Sequence, residues 1–69
     1  MRVNVYDHSS SGDGRLVGTR YADEALEAHC HGTEEELDRL YEEAVRGLQS
    51  AGRFWLTSDI LIMSTENKR

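Results

Sequence analysis

Apolar and polar residues alternate along positions 2–7, with Val3 and Val5 on one side and Arg2, Asn4 and Tyr6 on the other. A period of two predicts a half-buried β-strand. Positions 8–14 carry no apolar residue and contain three serines and two glycines, a composition that predicts a flexible hairpin loop. Positions 15–21 form the expected second strand, antiparallel to the first. Gly18 inside it marks a bulge or a close backbone approach.

The period then changes. Asp23 is placed to cap a short helix over 23–31, with Gly32 as its stop. A longer helix is expected over 33–50. Thr33 and Glu36 have the spacing of a capping box, and Glu34, Glu35 and Glu36 favour the positive end of the helix dipole. Leu37, Leu40, Tyr41, Ala44, Val45 and Leu48 recur at helical spacing as one apolar stripe that ends at Ser50, Ala51 and Gly52.

Positions 53–63 read as one or two strands, Phe54 to Leu56 and Ile60 to Met63, with Thr57, Ser58 and Asp59 as a turn or bulge between them. Positions 64–69 form a polar tail expected to fray. The order is ββααβ(β). Its economical fold is a single small α+β domain, an antiparallel sheet of three to four strands with two helices packed on one face. The expected core is Val3, Val5, Leu16, Leu26, the helix stripe, Phe54, Leu56, Ile60 and Ile62. Tyr6, Val17, Trp55, Leu61 and Met63 then point away from the helices. An apolar cluster there asks for a cover, either a partner or a second copy of the chain.

Composition narrows the function classes. A chain of 69 residues buries only about 60% of the surface its unfolded form exposes, so a large enclosed active site is excluded. One cysteine excludes an internal disulfide framework and favours a reducing, cytoplasmic setting. No stretch approaches the ~18 apolar residues of a membrane span, so no membrane role is expected. The net charge of −5 is unevenly spread: positions 23–43 carry nine acids against Arg39 alone, between weakly basic ends. Such a surface repels nucleic acid and attracts basic partners.

Candidate chemistry is sparse. Asp7, Ser9, Ser11, Gly12 and Asp13 resemble the opening of a calcium loop, but the required glutamate falls on Gly18 and the flanks read as strands. The same loop offers a nucleophile and a base without rigid support, and no phosphate loop or nucleophile elbow is present, so no enzyme and no cofactor are expected. His29, Cys30 and His31 are all zinc-ligating types, with His8 as a further donor. Adjacent helical residues diverge by about 100°, which argues against a shared metal site and for ordinary side chains.

On the helices, Glu35 with Arg39 and Glu42 with Arg46 have the spacing of surface ion pairs, each worth about 0.3–0.5 kcal/mol. Glu24, Glu27, Glu36, Asp38 and Glu43 lack such a neighbour. The acidic face of Glu24, Glu27, Glu35, Glu36, Asp38, Glu42 and Glu43 therefore reads either as a solubilising surface or as a recognition surface. The leading expectation is a small non-enzymatic binding protein, an inhibitor or regulator that occupies a basic, nucleic-acid-binding type of surface on a protein partner. By analogy of size and charge alone, phage anti-defence proteins and antitoxins are of this kind. The alternative is a homodimeric assembly protein joined through Tyr6, Val17, Trp55, Leu61 and Met63.

Overall fold

The computed structural model describes residues 1–9 and 14–65. Six elements follow one another: β1 (Arg2–Asp7), β2 (Arg15–Tyr21), α1 (Ala22–His29), α2 (Glu34–Ala51), β3 (Arg53–Trp55) and β4 (Ile60–Ser64). The strands form one antiparallel sheet in the order β2-β1-β4-β3, so the first and last strands pair at its centre. Both helices lie on one face. This is the α+β architecture that the alternation of periods predicts.

Alternation assigns the core. Val3, Val5 and Ile62 are at most 1% exposed and meet Ala22, Ala25 and Leu26 of α1 and Ala44 and Leu48 of α2. Leu56 and Ile60 complete this cluster, with Leu40, Tyr41, Phe54 and Cys30 packed against its margin. Gly47 is what lets α2 approach β3: a Cβ there would stand 2.8 Å from Cδ1 of Phe54.

The capping box at the start of α2 is complete. The Glu36 N–H donates to Thr33 Oγ1 at 3.2 Å, and the Thr33 N–H donates to Glu36 Oε1 at 2.9 Å. Gly52 ends the helix in the left-handed region, φ 79°, where its N–H reaches the Leu48 carbonyl. Between β3 and β4, Thr57 Oγ1 accepts from the N–H groups of Asp59 and Ile60, fixing the expected turn.

Four expectations are corrected. Leu16 is not core but 54% exposed, because the pairing of β1 and β2 shifts between Val5 and Tyr6. Val5 lies opposite Gly18 while Tyr6 lies opposite Leu16, so Val17 is an extra bulge residue and Leu16 turns to the sheet's open side. Asp23 does not cap α1. The helix starts one residue earlier, with the Ala22 N–H donating to the Met1 carbonyl, and Asp23 Oδ1 instead accepts from the Glu24 N–H. Gly32 does not stop α1, which ends at His29 when Cys30 turns extended. Ser64 belongs to β4 rather than the tail, its N–H donating to the Gly52 carbonyl. The expectations for positions 10–13 of the serine loop and 66–69 of the tail lie outside the described residues.

Candidate functional site

The two layers carry opposite charge. The helices α1 and α2 hold nine carboxylates against Arg39 and Arg46, whereas the four strands hold Arg2, Arg15, Arg20 and Arg53 against Asp7 alone. All seven acidic candidates, Glu24, Glu27, Glu35, Glu36, Asp38, Glu42 and Glu43, are exposed on the helical layer. Glu36 is partly spoken for, since its carboxylate completes the capping box.

Between α1 and α2 runs a groove of about 320 Å³. Buried Leu26 and half-buried Leu37 and Tyr41 line it together with the exposed carboxylate residues Asp23, Glu27 and Asp38. Two of these acids were on the predicted face. Asp23 was not, because the sequence pattern gave it to helix capping. Leu37 and Tyr41 read as stripe residues, and both stay half-buried where they line this groove.

On the other side, register defines an apolar row. Leu16 pairs with Tyr6, Tyr6 with Leu61, and Leu61 with Trp55, so one line of side chains crosses all four strands. Beside it runs a more polar row of Thr19, Asn4, Met63 and Arg53, in which the Thr19 hydroxyl donates to Asn4 Oδ1 at 2.7 Å. Tyr21 lies beyond, opposite Arg2. Counted back from Thr19, Val17 shares this open side. Five of the six large exposed hydrophobic residues among those described are here: Leu16, Val17, Tyr21, Trp55 and Met63. Leu61 is only 9% exposed beneath its neighbours, and the His8 ring leans on Trp55 with centroids 5.0 Å apart. The cluster predicted from Tyr6, Val17, Trp55, Leu61 and Met63 thus lies together on this side, joined by Leu16 and Tyr21.

His8, His29, Cys30 and His31 do not come together as one donor set: His8 and His29 both lie within electrostatic reach of Asp7, apart from Cys30 and His31. The Cys30 thiol donates to the Leu56 carbonyl at 3.9 Å, and burial pushes its pKa up. His29 acts electrostatically on Asp7. His31 is exposed beside Glu36, Arg39 and Glu43. Among the described residues no group of three or more His, Cys, Asp or Glu is placed to hold a metal. In the loop, hydrogen bonds from Ser9 hold the Asp7 carboxyl below its ordinary range, with smaller help from His29 and His8. The remaining residues of the calcium-like motif, Ser11, Gly12 and Asp13, are not among those described. No helix among the described residues is long and apolar enough to cross a membrane.

Fold and surface together define a class: a two-layer α+β slab with an acidic helical side and an apolar, arginine-edged sheet side. The chain matches no family model, no curated protein and no solved structure.

Proposed function

We propose that this is a non-enzymatic binding protein whose acidic helical layer docks onto and occupies a basic surface of a protein partner. The observation that carries the reading is the groove between α1 and α2, where apolar Leu26, Leu37 and Tyr41 adjoin Asp23, Glu27 and Asp38. Arginine and lysine combine a long apolar stem with a terminal cation, so one such side chain fits a slot that is apolar within and acidic at its margin. The surrounding carboxylates Glu24, Glu35, Glu42 and Glu43 extend the negative field and speed the encounter with a basic partner. A partner surface that normally holds nucleic acid has the required sign and is blocked when the acids take the place of phosphates. A reducing cytoplasmic setting suits the single, half-buried Cys30.

The test is titration of an arginine-rich peptide into the protein at about 50 and 500 mM salt, where screening lengths differ severalfold. Binding should weaken steeply with salt, and the Glu27→Gln, Asp38→Asn double variant should lose most of it. An affinity indifferent to both changes would remove the reading.

A further inference from the structure

We infer that the open face of the sheet is a self-interface, and that its occupant is a second copy of this chain related by a two-fold axis lying along the Leu16–Tyr6–Leu61–Trp55 row. The inference is independent of the acidic groove and concerns the opposite side of the molecule.

Size comes first. The molecule is a slab of 33 × 32 × 17 Å, and its thin dimension fits one sheet and one helical layer about 10 Å apart. A broad side of those dimensions is large enough for the ~800 Å² per partner of a standard stable interface. Composition agrees. Leu16, Val17, Tyr21, Trp55 and Met63 are all exposed on that side, and interface centres are enriched in aromatic residues and methionine.

Charge selects the pairing. Helix-to-helix association of two copies would bring nine carboxylates against nine, whereas sheet-to-sheet association leaves both acidic layers outermost. Charge also places the axis. Arg53 lies two residues from Trp55 along β3, on the Met63 side of the row. Exposed Asp59, in the turn just before β4, lies two residues ahead of Leu61 in the chain, on the other side. At strand rise Arg53 is about 7 Å from the row, and the turn carries Asp59 off the row in the opposite direction. An isologous two-fold along the row exchanges those sides, so Arg53 of each copy comes over the Thr57–Asp59 turn of the other. It also carries the two Arg53 residues to opposite flanks. Two copies of Arg2, further out than Arg53 on the same side, are separated in the same way.

The chain supplies its own probe, since Trp55 is its single tryptophan. Light scattering and tryptophan emission are followed together from about 1 to 100 μM, the range over which a micromolar dimer assembles. The expected result is a doubling of mass with a blue shift of Trp55 emission. Leu16→Glu, at an exposed position that leaves the monomer's circular dichroism unchanged, should abolish both. Arg53→Asp should weaken assembly roughly tenfold, and adding Asp59→Arg should restore it. Monomeric mass throughout overturns the inference, as does a dimer that survives Leu16→Glu or leaves Trp55 emission unshifted. Failure of the double variant to recover overturns the axis. The Leu16→Glu monomer keeps its acidic layer, so peptide binding measured on it tells failure of this interface from failure of the proposed function.

Discussion

Gly47 and Phe54 stand so close that a single added methyl on the glycine would lie 2.8 Å from the ring's Cδ1. The contact sets the distance between α2 and β3, and it makes the sign of one substitution a contest. Gly47→Ala gains about 1 kcal/mol of helix propensity. It also overpacks a margin where Arg53 and Phe54 backbone and side-chain atoms already crowd, at about 1–3 kcal/mol. The expected net effect is destabilisation by about 1 kcal/mol, read as a lower urea midpoint. A raised midpoint would mean that the Phe54 ring swings aside freely.

The two sides of the sheet should respond to truncation in opposite measure. Ile62 is fully buried, and Ile62→Ala is expected to cost about 2–5 kcal/mol, as much as the ~3–5 kcal/mol that a core of this size supplies. Leu16 is 54% exposed, and Leu16→Ala should stay within about 0.5 kcal/mol at concentrations low enough to keep the protein monomeric. Equal losses at both positions would place Leu16 back in the core and refute the bulge at Val17.

Removing the Thr33 hydroxyl should release the Glu36 N–H at the start of α2. Thr33→Ala is expected to cost about 1 kcal/mol in chemical denaturation, and Thr33→Ser close to nothing. Amide exchange confined to the first turn of α2 would locate the loss.

Among the described residues, the surroundings of Asp7 and Cys30 shift their titration, and the direction of each shift gives the pH response its sign. Asp7 is held low, so its contribution to stability is present above the ordinary carboxylate pKa and is lost as pH falls through its own. Ser9→Ala removes the larger of the two Ser9 contributions and should move the Asp7 carboxyl resonance partway back toward the ordinary titration.

Cys30 is raised by burial, so its favourable protonated state persists below the ordinary thiol pKa and is lost as pH climbs through the higher folded value. Its reaction with a disulfide reagent at neutral pH should be slow, and should accelerate under mild denaturant that frees the thiol from Leu56. Fast labelling of the native protein would contradict the packing of Cys30 on the core margin.

What could be read from the sequence was local. The Thr33 and Glu36 spacing, the stop at Gly52 and the period of β1 each depend on residues within a turn or two, and each formed as expected. Of the α2 stripe, Ala44 and Leu48 are core and Leu40 and Tyr41 pack on its margin, while Leu37 and Val45 stay half-buried outside it because the stripe is wider than the contact that α1 and the sheet make. Leu16 was misplaced because a bulge is one extra residue, and alternation counted across it comes out reversed. Gly18 signalled a disturbance without saying which neighbour would absorb it. The start of α1 depends on the Met1 carbonyl, twenty-one residues away along the chain, which no capping pattern contains. The acidic face was visible as a run of charge. The Asp23, Glu27 and Asp38 groove was not, because it exists only between two helices whose packing comes from the tertiary fold.

The central pairing of β1 with β4 also orders events in time. Val5 and Ile62, partners in the middle of the sheet, are separated by nearly the whole length of the chain. β1 therefore waits for β4, with β2 able to hold it on only one edge. Until β4 is synthesised, β1 keeps an open edge of the kind that templates wrong pairings. Joining it closes the longest loop among the strand pairings, the one that costs most in chain entropy. The two helices lie between these strands in the chain, and their nine carboxylates give any half-built sheet a like-charged neighbour, which opposes its association with another copy.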